Sequence, residues 1–227
     1  MIIGGPTVGI SQLVPKAVAR LKHRFPLVNI TILPGPHEQL LPSLRVGEID
    51  LFFGRKGTAP QMVGLTFKRL FQDRLVIVAR PTHAFIGRRD TSLADLAGLP
   101  WLVPLADASF TNYLTGIFAR AQLGLPKNSV EMTFGLSMWT YMEDTNAVAA
   151  MPSNLVSSEL RAGRLAIIKS DPNWVLPAFG IIHRNEKFLT PPVRTLVNEL
   201  VQVTAERRQE VRGILSALDL SLSEDSG

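Results

Sequence analysis

The sequence predicts an α/β fold of two lobes, and three observations carry that expectation. The first 35 residues read as strand, loop, helix, strand. Later apolar segments such as Ile49–Phe53 and Arg74–Ala79 alternate with stretches of helical period. A new run of alternating elements then begins after Arg80-Pro81-Thr82-His83. Strands separated by helices are the signature of parallel pairing through crossover connections.

In order, Ile2 and Ile3 suit a short buried strand, and Gly4, Gly5, Pro6, Thr7 and Gly9 break regular structure, so Gly4–Ser11 reads as a loop. Leu13, Val14, Ala17, Val18, Leu21 and Phe25 recur at helical spacing, with Lys16, Arg20, Lys22 and Arg24 between them, until Pro26 stops the helix. Val28, Ile30 and Ile32 alternate as a second strand. His37–Val46 reads as a helix ended by Gly47. Ile49, Leu51, Phe52 and Phe53 form a strand apolar on both faces, as a covered parallel strand requires. Leu65–Leu70 and Arg74–Ala79 follow as strands.

Beyond residue 80, Ser92 is the expected N-cap of a short helix, Trp101–Val103 a strand, Ser109–Leu123 a helix and Val130–Phe134 a strand. Met138–Glu143 is helical, 147–152 a buried strand, Ser153–Leu160 a helix, and 165–168 and 179–183 strands. Pro192–Arg212 forms a long last helix. The expected division is lobe I from 1–79 plus 180–220 and lobe II from 80–179, joined by a two-strand hinge. Residues 221–227 form a polar tail expected to be disordered.

Composition narrows the function classes. An apolar fraction of 46% with 19% charged residues is that of an ordinary globular protein. No apolar run reaches the ~20 residues a bilayer span needs, and no secretory leader is present, so a cytoplasmic protein without membrane contact is expected. With no cysteine, disulfides, Cys-held metals and thiol catalysis are excluded. The formal charge of +5 comes from scattered basic residues, with no zinc-finger spacing or arginine-rich run to make a nucleic-acid surface. The motifs G-x-S-x-G and H-E-x-x-H and a phosphate loop are all lacking, so no catalytic residue, metal or cofactor is expected. Glu48 and Asp50 flank a strand start and do not read as an acid–base pair.

The chain resembles the effector-binding (substrate-binding) domain of LysR-type transcriptional regulators. The residues concerned are Ile2-Ile3-Gly4-Gly5, Leu13-Val14-Pro15, Arg24-Phe25-Pro26-Leu27-Val28, Gly35, Leu44-Arg45-Val46-Gly47-Glu48-Ile49-Asp50-Leu51, Leu75–Val78 with Pro81-Thr82-His83, and Met151-Pro152. Thr145-Asn146-Ala147 departs from the glycines usual before that last strand. The resemblance implies two Rossmann-like lobes in a periplasmic-binding-protein-like (type 2) fold, with an effector between them. It also implies a homodimer in which the helix Lys16–Phe25 meets lobe II of its partner near Leu136–Met142, and a tetramer for the full-length regulator. The family's N-terminal winged helix-turn-helix has no counterpart in this fragment, so DNA would be reached only through that missing domain.

In open α/β sheets, ligands sit at the carboxyl ends of strands beside helix N-termini. That rule selects Thr7 and Ser11 after the first strand, His37 after the second and Arg55 after the third. From the second lobe it selects Ser109 and Thr111 at one helix start and Phe134 and Ser137 at another. Each also has a plain structural role open to it. Ser11 can cap a helix, Thr7 fill a turn, His37 be solvated, Arg55 lie at a hinge and Phe134 pack in the core. Hydroxyls, N–H groups and one guanidinium suit an anionic aromatic or dicarboxylic effector, and hydroxyls suit a sugar equally. Two other readings remain open: a solute-binding protein of a transporter, and a catalytic relative of the same two-lobed architecture.

Overall fold

The computed structural model describes residues 1–105, 108–170, 174–185, 187 and 189–217, with the side chains at 104 and 108–110 outside that description. The tail 221–227 therefore lies outside the described residues. The chain divides into two compact units, one of Met1–Asp73 with Pro177–Arg208 and the other of Arg74–Leu176 with Gln209–Gly227.

The first unit is built on a five-stranded sheet of order β2-β1-β3-β10-β4. Its strands are β1 (Ile2–Gly5), β2 (Thr31–Pro34), β3 (Leu51–Arg55), β4 (Thr66–Phe71) and β10 (Phe179–His183). The pairs β1–β2 and β1–β3 are parallel, while β10 runs antiparallel to both β3 and β4. Strand period separates the faces. Leu51, Phe53, Phe179 and Ile181 pack with α2 (Leu13–Arg24) and with Val193, Leu196 and Leu200 of α8 (Pro191–Ala217). Phe52 and Ile182 pack with Leu40, Leu41 and Leu44 of α3 (His37–Val46).

Three local expectations shift here. Thr7–Ile10, read as loop, closes into a four-residue helix, α1, entered from Pro6 at φ −64°. Proline presets that angle, and the carbonyl of Pro6 accepts from the N–H groups of Gly9 and Ile10. Ser11 is the C-cap of α1, and α2 begins two residues later from Gln12 without a side-chain cap. The second strand starts at Thr31, not Val28, because only from there does β1 offer partners, Ile2 opposite Thr31.

The segment Leu44–Leu51 has a clear physical basis. Gly47 ends α3 at φ +90°, where its N–H donates to the carbonyls of Ser43 and Leu44, and Glu48 N–H reaches Ser43 as well. A Cβ at Gly47 would also run into the Arg184 guanidinium. Asp50 then takes the N–H of Ile2 on its carboxylate at 2.8 Å, while its own N–H donates to the Ile2 carbonyl at 2.9 Å. Glu48 accepts from the Ser43 hydroxyl at 2.7 Å. Both acids thus have structural partners.

The second unit holds the antiparallel sheet β8-β5-β9 and the parallel ribbon β6–β7. These strands are β5 (Leu75–Ala79), β6 (Trp101–Pro104), β7 (Ser129–Met132), β8 (Ala149–Pro152) and β9 (Ala166–Ile168). The boundary expected at 79/80 therefore moves to 73/74. Strand β5 pairs on both edges with β8 and β9, so it cannot belong to the first sheet. For the same reason the return falls at 176/177, and the end of α8 joins the second unit through Val211 and Leu215.

Leu75, Ile77 and Ala79 face α4 (Leu93–Ala97) and α5 (Ala108–Arg120), with Leu93, Leu96, Leu114, Ile117 and Phe118 in one core. Val76 and Val78 face α6 (Leu136–Asp144) and α7 (Ser153–Arg161), with Met138, Met142 and Val156 in the other. Ser92 caps α4 in a full capping box with Asp95, as expected, and that hydrogen bonding holds the Asp95 carboxyl below its ordinary pKa.

His83 is buried at 5% exposure, with Nε2 donating to the Asn146 carbonyl and Nδ1 accepting the Phe85 N–H. Burial pushes its pKa below the ordinary value of 6.5, with Arg80 and Arg88 adding to the effect and the Asn146 bond opposing it. Folding favours the neutral ring. Its contribution is therefore complete above the unfolded value and is lost as pH falls below it. The midpoint of thermal unfolding should drop between pH 7.5 and 5.5, and His83→Gln should flatten that slope. A second expectation concerns Asp50. Asp50→Ala should cost about 1–3 kcal/mol in urea unfolding by orphaning the Ile2 N–H.

Candidate functional site

In the first unit, the residues singled out from the sequence gather at the carboxyl ends of the three parallel strands. Gly5 lets the turn after β1 lie directly on β3, since a Cβ there would strike the Phe53 carbonyl. Thr7 opens α1 and Ser11 closes it, and both are exposed. Helix α1 is four residues long, so its aligned dipole is small. What it presents is two hydroxyls.

His37 is the first residue of α3 and is half-buried. Its Nε2 donates to the Arg55 carbonyl at 2.8 Å, and its ring lies 4.8 Å from that of Phe52. The structure thus brings His37 and Arg55 together.

Arg55 is not the exposed fork the sequence suggested. It is 8% exposed, its Nη1 donates to the Pro177 carbonyl at 2.8 Å, and its guanidinium lies 5.4 Å from the centre of the Phe179 ring. The cause is register: β10 places Phe179 opposite Arg55, so the side chain folds onto the neighbouring strand. A sequence shows the strand end but not which strand returns beside it.

In the second unit, β6 and β7 run parallel, so the segments after both strands leave from one edge. Thr111 is exposed on α5, and its carbonyl accepts from the Thr115 hydroxyl. Ser109 lies in the same helix, its side chain outside the described residues. Phe134 is half-buried, edge-on to Trp139 at 5.5 Å, and packs against the Met138–Met142 core. Ser137 is exposed in the first turn of α6. The second-unit set is thus hydroxyls beside an aromatic pair.

Sequence reasoning missed Tyr113. Its hydroxyl donates to the Val175 carbonyl at 2.6 Å, just before the chain returns to the first unit. Its partner lies 62 residues away, beyond the reach of any local pattern. Among the described residues, no group of three His, Asp or Glu stands close enough to hold a metal ion, and no helix is long and apolar enough to cross a membrane.

Residues 2–205 match the family model described as the LysR substrate binding domain. The chain belongs to that family. A curated relative, the HTH-type transcriptional regulator GalR of Pseudomonas putida, is 23% identical over 205 residues, which are 90% of this chain and 51% of that protein. The chain thus spans about half the length of this relative. Among solved structures, the regulatory domain of Synechocystis CcmR in complex with 2-PG superposes with a TM-score of 0.73 at 15% identity, covering 90% of this chain and 96% of that one. The regulatory domain of MetR, a LysR family regulator from N. meningitidis, gives 0.68 at 15% identity, covering 91% and 92%. These likenesses establish the two-lobed, type 2 periplasmic-binding-protein-like fold, as in the regulatory domains of LysR regulators.

Proposed function

We propose that this LysR substrate-binding domain senses an anionic aromatic or dicarboxylic compound at the strand-end edges described above, within a bacterial transcription regulator acting in the cytoplasm. The observation that carries the reading is that both units expose hydroxyls at the carboxyl edge of parallel strands: Thr7 and Ser11 in one, Thr111 and Ser137 in the other. Exposed hydroxyls bind carboxylate oxygens through O–H donors. The half-buried Phe134–Trp139 pair favours a flat ring. The net charge of +5 draws anions to the surface. Sensing needs no catalytic group, and binding without turnover is expected. DNA contact would fall to the winged helix-turn-helix domain of the full-length regulator.

A sugar is the second reading. It is favoured by the hydroxyls and by the commitment of Arg55 to Pro177. Thermal shift separates the two. A carboxylate such as benzoate or succinate at 100 times its dissociation constant should stabilise the domain by ~2.7 kcal/mol, and Thr7→Ala should remove that shift. A monosaccharide shift with no carboxylate shift would exchange the ligand class. Consumption of any bound compound would make the chain an enzyme.

We also propose a homodimer through α2 against α6 of a second copy, and a tetramer for the full-length regulator. The apolar residues of Lys16–Phe25 are spent within the chain: Ala17 and Leu21 are fully buried, and Val18 and Phe25 pack on the same core. The exposed face is basic instead, with Lys16, His23 and Arg24. Helix α6 exposes Leu136 at 80%, together with Glu143 and Asp144. Opposite charges on the two faces favour pairing. In light scattering, Glu143→Lys with Asp144→Lys should weaken the dimer at least tenfold, and salt should mimic the change. A dimer indifferent to both would rule out this interface.

A further inference from the structure

Thr145-Asn146-Ala147, the segment that departs from the glycines usual in the family, makes side-chain bonds that glycine cannot make. The Thr145 hydroxyl donates to the Tyr141 carbonyl at 2.7 Å and accepts the Ala147 N–H at 3.3 Å, which closes the end of α6. Asn146 holds the loop after β5 at two points. Its Oδ1 accepts from Arg80 Nη2 at 2.7 Å, and its carbonyl accepts from His83 Nε2 at 3.2 Å.

His83 carries the hold onward, because its Nδ1 accepts the Phe85 N–H at 3.2 Å. That acceptance fixes the tautomer: the proton is on Nε2 and the ring is neutral. Phe85 and Ile86 pack on the core of Leu93, Leu96 and Trp101, and the Ile86 N–H returns to the His83 carbonyl at 2.9 Å. The Arg88 guanidinium lies 4.2 Å from the centre of the Phe85 ring, and its Nε donates to the Ala84 carbonyl at 3.1 Å. His83 thus has a cation on each side, Arg80 beyond Asn146 and Arg88 beyond Phe85. Arg80 Nε is buried without an acceptor, and among the described residues neither arginine comes within ion-pair distance of a carboxylate. The acids of the neighbouring elements are turned elsewhere. Glu143 and Asp144 at the end of α6 are exposed, and Asp95 of α4, which feels the charge of Arg88, is bonded to Ser92.

We propose that Arg80, His83 and Asn146 form an acid-released latch on the loop 84–88, and that Asn146 is the positioning residue that sets its opening point by holding Arg80 beside His83. Protonation turns Nδ1 into a donor, so the Phe85 N–H loses its acceptor and two N–H groups face each other. Nε2 keeps its bond to the Asn146 carbonyl, and that bond becomes charge-assisted. The ring therefore stays with Asn146 and lets Phe85 go, which loosens Phe85 and Ile86 from the core beneath them. Burial is the main force against the charged ring, and Arg80 and Arg88 add to it. A glycine at 146 would leave Arg80 free to swing into solvent, reduce the repulsion and let the latch open at a higher pH. The device lies wholly within the second unit and needs no effector, so it stands or falls apart from the sensing proposal.

The test is nitrogen-15 NMR of the wild type, His83→Gln, Asn146→Gly, Arg80→Gln and the double variant of the last two, from pH 7.5 to 4.5 at fixed ionic strength. His83→Gln assigns the ring signal among the four histidines. In the wild type, exchange of the Phe85 N–H, corrected for its intrinsic rate at each pH, should speed about fivefold for one lost hydrogen bond as the His83 ring titrates. His83→Gln should abolish that step. Asn146→Gly and Arg80→Gln should each move the midpoint of the His83 ring to higher pH, and the double variant should move it no further than the larger single change, since both act through one guanidinium. A Phe85 N–H that stays protected while His83 protonates would overturn the latch. Faster exchange at every pH with an unmoved or lowered midpoint in Asn146→Gly and Arg80→Gln would make Asn146 a plain support and overturn its positioning role. Arg80→Gln leaves residue 146 and the ring untouched, so it carries the midpoint test alone if Asn146→Gly does not fold.

Discussion

The first unit depends on the exchange of hydrogen bonds between Asp50 and Ile2. A short parallel pair such as β1–β3 offers little ladder of its own, with registered partners only at Ile3–Leu51 and Gly4–Phe52. The Asp50 carboxylate and N–H extend that pairing by one residue and fix its register. A slip of one residue would turn Leu51 and Phe53 away from α2 and α8 and put Phe52 in their place. Gly47 makes the exchange possible by ending α3 in a left-handed conformation, which turns the chain directly into β3. The strand-end edge that carries Thr7, His37 and Arg55 inherits its geometry from this one register.

The two units solve the same packing problem with different sheets. The first covers a mixed sheet on both faces, with α2 and α8 on one side and α3 on the other. The second divides its strands into an antiparallel three-stranded sheet and a separate parallel ribbon. In both, the parallel strands leave their following segments at a common edge, and the hydroxyls lie there. Membership of the LysR substrate-binding family and the likeness to solved regulatory domains agree with that shared plan.

Two buried polar side chains show how burial is offset by fixed partners. The neutral ring of His83 has both nitrogens engaged, by the Asn146 carbonyl and the Phe85 N–H, and is a structural element whose charge state follows from burial. Arg55 is nearly buried, with the Pro177 carbonyl accepting from its Nη1 and the Phe179 ring beside its guanidinium.

The sequence by itself determined the kind and order of most elements, the short helix Thr7–Ile10 excepted, because these follow from local period and punctuation. Leu13 to Phe25 recur at helical spacing, Leu51–Phe53 are continuously apolar, and Gly47 and Ser92 mark a helix end and a helix start. It also determined the family, through residues such as Leu44, Gly47 and Asp50 whose roles lie within a few positions of one another. Tertiary structure decided what depends on distant partners. Strand β5 joined the second unit because β8 and β9, some 70 and 90 residues on, pair with it. Arg55 turned inward because β10 brought Phe179 and Pro177 to it from 122 residues away. Tyr113 acquired a partner at Val175 in the same manner. Period reveals which face of an element is buried, but only the closed sheet determines which strand arrives beside it.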